Sequence, residues 1–265
     1  MSSIPPPLLV RKLQSGLVLA QLNRPSRLNA FSEAMGQEII KLCSQVNLEP
    51  ATCKVLLFTG NERAFSSGRD LKDSATHTKE DAKKYMNLIM DSVRAVLNVE
   101  TPVISVIQGH CIGWGFEFAL ASDIRIISKN AKFRLPETTL GLFPGAGGVV
   151  LLPRLIGRAK ASELIFTGKP ISGQEAYELG IGNKFVEDDS KALEVGIELG
   201  NLIAKNAPLA LRAGKKALIS CEEVSNISAA FTLSRKYRDP LTETQDHREA
   251  LLAFAEKRQP TFVGK

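Results

Sequence analysis

A chain of 265 residues with 44% hydrophobic and 23% charged content has the make-up of a globular protein able to bury a full core. No apolar run reaches the ~20 residues that span a bilayer, and a net charge of +6 is a modest excess that speaks for solubility or an anionic ligand rather than for one class of partner. Cys43, Cys53, Cys111 and Cys221 show no pair spacing, which favours reduced thiols in an intracellular protein over a disulfide framework or a zinc site.

Met1 to Pro7 has no basic segment ahead of a long apolar one, so it reads as an extended arm rather than a secretory signal. Leu8–Val10 and Leu17–Leu22 flank a Gln14-Ser15-Gly16 turn and predict an antiparallel hairpin. Asn23–Arg27 is a polar loop in which Pro25 bars helix. Ser32 is placed to cap a helix, with Glu33 in its first turn and Met35, Ile39, Leu42, Cys43 and Val46 at helical spacing. Cys53–Thr59 reads as a buried strand ending at Gly60, and Asn61–Asp70 as a loop. A helix follows over about 78–97, with Tyr85, Leu88, Ile89, Ser92 and Val96 inward.

From Pro102 to Gly148 the chain carries its most informative stretch. The apolar run Val103–Ile107 turns through Gln108–Ile112 into Gly113–Leu120, and a second apolar run covers Asp123–Ser128. Gly113 and Gly115 flank Trp114, so backbone can approach a ligand there and the Trp114 N–H, at a helix start, lacks an intrahelical acceptor. Glu117 is one turn on, and helical side chains lean back toward the N-terminus, which puts its carboxylate over Trp114. A donor for a developing oxyanion would then stand beside an acid/base group. The bland reading is also open: the glycines ease packing, Glu117 caps or forms an ion pair, and Glu137, after Pro136, is solvated. Gly145–Gly148 lacks the Lys-Ser/Thr of a phosphate loop and reads as a helix start needing close approach. The three histidines form no evident triad; His110 reads as packed, His77 and His247 as exposed. Helices are expected over 160–167, from Ser172 with a capping-box spacing to Glu175, and over 190–205, 208–219, 224–238 and 243–257. The alternation implies an α/β body with a mostly parallel core and a helical C-terminal part.

Five ordered segments then carry a resemblance: Leu22–Ala30, Ala64–Lys72, Gly113–Arg125, Pro136–Gly148 and Leu252–Arg258. Over essentially the whole chain the sequence resembles the crotonase superfamily of enoyl-CoA hydratases and isomerases, closest in its C-terminal half to the methylglutaconyl-CoA hydratase type. The resemblance implies a spiral of ββα units over 1–200 and a helical region over 201–265 that closes the site and builds a homotrimer or dimer of trimers. It implies that the backbone N–H groups of Arg69 and Trp114 form the oxyanion hole for an acyl-CoA thioester. Glu117 and Glu137 would hold a water, the first helping to deprotonate it and the second protonating C2. Trp114 departs from the glycine usual there, and its indole is expected beside the acyl pocket.

Ser26, Arg27 and Leu28 would flank the nucleotide of coenzyme A, Ala64 and Ser66 would present backbone to adenine, and Asp70, Leu71 and Lys72 would lie along the pantetheine. Phe254 and Lys257 would reach a neighbouring subunit's coenzyme. No metal and no permanently bound cofactor are implied, coenzyme A being the substrate's carrier. The second glutamate is followed eight residues on by Gly145, where related isomerases and hydrolases of the superfamily carry an acid, and Glu117 is kept where simple isomerases lack it. Both features favour hydration in fatty-acid or branched-chain amino-acid catabolism, with isomerisation as the alternative. An RNA-binding relative uses a lysine-rich first helix; Ser32–Asn47 here offers only Lys41 against Glu33 and Glu38, so no nucleic-acid partner is expected. A catalytically silent acyl-CoA-binding relative is the other non-enzyme reading. A cytoplasmic or mitochondrial-matrix location fits the composition.

Overall fold

The structure, a computed structural model, describes residues 5–49, 52–71 and 78–265. The first four residues of the N-terminal arm, Lys72 and His77 lie outside that range. Strands β1 (Leu8–Lys12) and β2 (Leu17–Leu22) form the expected antiparallel hairpin. β2 then pairs in parallel with β3 (Val55–Thr59), which continues to β5 (Val103–Ile107), β7 (Ile124–Ser128) and β10 (Lys184–Val186), closing a six-stranded sheet. β3 and β5 are buried on both faces, which is why they read as unbroken apolar runs rather than alternating ones.

A second sheet was not legible in the sequence. β4 (Ala64–Ser66), β6 (His110–Ile112) and β8 (Lys132–Arg134) pair in parallel, and β9 (Ile171–Ser172) joins antiparallel. β4, β6 and β8 each follow a strand of the first sheet after a few residues, so β3–β4, β5–β6 and β7–β8 are successive turns of one spiral. Helix α1 (Glu33–Leu48), α2 (Lys79–Leu97) and α3 (Trp114–Leu120) pack with one face of the large sheet. The Ser32 hydroxyl accepts from Met35 N–H, as expected, and Thr78 caps α2 reciprocally with Asp81.

After α3 come α4 (Gly148–Ile156), α5 (Arg158–Thr167) and α6 (Gly173–Glu178), the last opened by the Ser172–Glu175 box. α7 (Ala192–Ala204) covers the opposite face of the large sheet, where Gly196 and Gly200 let it close on Leu57, Val106 and Leu17. Residue 200 lies within this helix, which stays with the sheet to its end. The helical region proper is α8 (Pro208–Glu222), α9 (Ile227–Arg238) and α10 (Gln245–Ala255). α8 is held to the body by two buried cations. Arg212 donates to the Val46 and Asn47 carbonyls and to Glu100, and Lys215 to the Thr101 carbonyl and Asp123. The four cysteines are free thiols, and burial pushes Cys43 and Cys53 up to about 12.

Candidate active site

The spiral brings the ends of β4 and β6 together, and the cleft forms where each leaves its sheet. After β4 the chain runs through Ser67, Gly68 and Arg69. A parallel bridge joins Arg69 to Phe31, with Phe31 N–H donating to the Gly68 carbonyl. In such a bridge the flanking groups of the central residue face its partner, so the N–H of Arg69 itself points to the other side. That side is the start of α3. A Cβ on Gly68, whose φ is +89°, would lie 2.7 Å from Ile112 O and 3.6 Å from Trp114 N. The two backbones pass with no room for a side chain between them, and Arg69 and Trp114 both line one cavity of about 400 Å³.

Gly113 makes the turn into α3 with φ +50° and ψ −120°, a conformation open to glycine and costly for other residues. A Cβ there would stand 2.7 Å from Glu137 Oε1, so the carboxyl of Glu137 lies directly over this turn. At the other end of α3 the Arg125 guanidinium donates to the carbonyls of Ala119, Leu120 and Ser122, fixing the helix from behind.

Glu117, on the cleft side of α3, is 3% exposed. Its Oε1 accepts from Ala146 N–H at 2.8 Å and Gly148 N–H at 2.9 Å, the turn that opens α4. The expected close approach at Gly145–Gly148 is thus an approach to Glu117. Burial pushes the Glu117 carboxyl from 4.5 up to about 7, against the pull of these amides, and the nearby Glu137 adds to the rise. Glu137 opens a short 3-10 turn over Glu137–Leu140 and is half-buried; burial raises its pKa too. Its Oε2 is buried and has no hydrogen-bond partner among the described residues. Both carboxyls line the cavity, with Met86 and Ile89 of α2 and with Leu140, Leu142 and Phe143 supplying apolar wall. One carboxyl held by amides beside a second with an unpartnered oxygen can move protons around a substrate bound in the cavity.

Trp114 lines the cavity, with its indole anchored in the core. It is 2% exposed, and the ring is packed against Phe31 (centroids 4.8 Å) and Phe118 (4.9 Å). Its Nε1–H donates to Ser92 Oγ at 3.1 Å. An indole N–H in a core needs such an acceptor, and α2 provides one.

The remaining expected residues are distributed around the cleft. Leu71 lines it and is 55% exposed. Asp70 is buried and pairs with Arg24. Ala64 and Ser66 are fully buried; the Ser66 hydroxyl donates to the Asn29 carbonyl and accepts from Gly68 N–H, which leaves Ser67 as the cavity-lining neighbour. Ser26 and Arg27 are exposed in a 3-10 turn closed by Leu28 in the left-handed region. Phe254, 86% exposed, and Lys257 lie on and just past α10 and do not line the cavity. Sequence reasoning missed Met86, Leu140, Leu142 and Phe143. The apolar run Leu140, Leu142 and Phe143 directly after Glu137 was the available signal, and Met86 offered none.

Residues 12–265 match the sequence profile described as Enoyl-CoA hydratase/isomerase. The 2,3-dehydroadipyl-CoA hydratase of Escherichia coli is 33% identical, over 97% of this chain and 99% of its own. The human mitochondrial enoyl-CoA hydratase domain-containing protein 2 is 36% identical, over 94% of this chain and 86% of its own. Among solved structures, an enoyl-CoA hydratase from Bacillus anthracis superposes with a TM-score of 0.94 at 36% identity, covering 98% of this chain and all of that one.

Proposed function

The chain belongs to the enoyl-CoA hydratase/isomerase family, and on that premise we propose that it hydrates a 2-enoyl-CoA thioester across its 2,3 double bond. The observation that carries this reading is the facing pair: Glu117, with one oxygen held by Ala146 and Gly148, and Glu137, with one oxygen buried and unpartnered among the described residues. Burial raises both carboxyls, and the nearby Glu137 adds to the rise of Glu117 to about 7, so the site retains a proton close to neutral pH.

The thioester oxygen accepts from the N–H groups of Arg69 and Trp114. Glu117 takes a proton from a water as its oxygen bonds to C3, and the electron pair of the double bond passes toward the thioester as an enolate. Glu137 then gives its proton to C2, so the pair holds one proton before and after. The donors matter because they meet charge that grows only in the transition state; each is worth about 3–4 kcal/mol in comparable sites. The same enolate would serve isomerisation, and two retained carboxyls support hydration over it. The CoA contacts expected at Ser26–Leu28, Asp70, Leu71 and Lys72 belong to this reading, as does a homotrimer or dimer of trimers in which exposed Phe254 and Lys257 reach a neighbour's coenzyme. A cytoplasmic or mitochondrial-matrix site of action fits it equally.

The test is a panel of trans-2-enoyl-CoA and 3-enoyl-CoA substrates of several chain lengths. Loss of the conjugated thioester absorbance, with formation of the 3-hydroxyacyl product, is expected. Turnover of 3-enoyl substrates alone would replace the reading with isomerisation, and no turnover on any would remove it.

A further inference from the structure

Trp114 contributes the backbone N–H that the proposed reaction needs, yet its two neighbours are glycines that must stay bare. A Cβ on Gly113 would meet Glu137 Oε1, and one on Gly115 would come within 2.7 Å of Ser66 O. Within this Gly-Trp-Gly segment only the indole has a side chain that can hold the peptide against its surroundings. What it grips is α2. Nε1–H donates to Ser92 Oγ, and that hydroxyl in turn donates to the Ile89 carbonyl at 2.7 Å. Ser92 is fully buried, and its hydroxyl accepts from the indole while donating to the Ile89 carbonyl. Ile89 and, one turn earlier, Met86 line the cavity from the same helix. Phe31 continues the contact, stacking edge-on with both Trp114 and Tyr85 of α2, while Tyr85 Oη donates to the Phe31 carbonyl.

We infer that Ser92 is a positioning residue: through the Trp114 indole it fixes the oxyanion-binding N–H in register with the acyl wall formed by Ile89 and Met86. The inference rests on the hydratase reading for its kinetic consequence and on geometry alone for the tether. An oxyanion donor that tilts loses little in the ground state and much as charge develops. Removing the tether therefore lowers kcat while KM stays near its original value. A purely structural role would instead lower the active fraction or shift both constants together.

The experiment is a double-mutant cycle of Ser92→Ala and Trp114→Phe, which keeps a ring and removes the N–H. Ser92→Ala is expected to lower kcat about tenfold with KM within about twofold, and to add almost nothing in the Trp114→Phe background, because both variants break one bond. An undiminished effect of Ser92→Ala in that background, or an unchanged kcat in the single variant, overturns the inference. A second readout is independent of turnover. The chain has one tryptophan, so its emission reports Trp114 alone. Ser92→Ala should shift that emission, and titration with butyryl-CoA should perturb it in the unmodified protein. Identical spectra for the two proteins would sink the tether even if hydration is found. Absence of hydration with shifted spectra would sink the reaction and leave the tether standing.

Discussion

Glu117 in the cleft and Lys215 on α8 are buried to similar degrees, 3% and 6% exposed, and the fold treats them in opposite ways. Lys215 meets Asp123 at 2.7 Å and the Thr101 carbonyl, and Arg212 beside it meets Glu100 and two carbonyls. Burial still lowers the Lys215 pKa, but the carboxylate pulls it back. Glu117 has amides on one oxygen and another carboxyl, not a cation, as its charged neighbour. The paired group is an anchor that keeps its charge. The group left with a like-charged neighbour has a proton affinity raised into the working range, and it can exchange that proton.

The sharpest way to break this comparison is to neutralise the carboxyls. Glu117→Gln and Glu137→Gln should each lower kcat roughly 10²–10⁴-fold, with acyl-CoA affinity largely kept when measured by titration calorimetry. Near-normal turnover in either removes that residue from the proton transfers. The pH profile is next in size. Because Glu117 must be ionised and Glu137 protonated, kcat/KM should be bell-shaped, with its acidic limb near the value of about 7 reached by Glu117 and its alkaline limb set by Glu137. A rate that climbs on past pH 8 would mean the pair works fully ionised.

Stability measurements sharpen the other half. Asp123→Ala removes the partner of Lys215 and an acceptor of Val103 N–H, and should cost about 3 kcal/mol in urea unfolding. Lys215→Met keeps volume and leaves Asp123, a third exposed, with its amide donor, so it should cost less than about 1.5 kcal/mol. Equal losses would mean that packing, not pairing, anchors α8.

For Glu117 the sign is reversed. Its native pKa of about 7 lies above the unfolded 4.5, so the native state binds more protons between those values and stability falls as pH rises through that window. Above pH 7 the ionised carboxylate costs up to about 3 kcal/mol. Glu117→Gln should recover part of that at pH 8 and none at pH 4, which thermal unfolding at the two pH values would show.

What the sequence made legible follows the range of the forces involved. The hairpin, the Ser32 cap, the Ser172–Glu175 box and the inner face of α2 are local patterns, and they were readable. β4, β6 and β8 span three residues each and pair with partners tens of residues away, as Ala64 does with His110, so no periodicity could reveal them. The glutamates were visible as oddities. Their meeting was not readable from pattern alone, because it depends on the Gly113 turn laying Glu137 over α3. The anchoring of the Trp114 ring depends on where α2 brings Ser92, which no local pattern shows.

The bare turn at Gly113 also constrains how this site can diversify. Any side chain there would strain the backbone and displace the carboxyl lying 2.7 Å from it, so mutational drift is blocked at that residue. The next position is free of that block: Trp114 has helical backbone, and its ring packs on Phe31 and Phe118. The buried layer behind the turn, where Trp114 packs on Phe31 and Phe118, can therefore be remodelled without touching the two carboxyls.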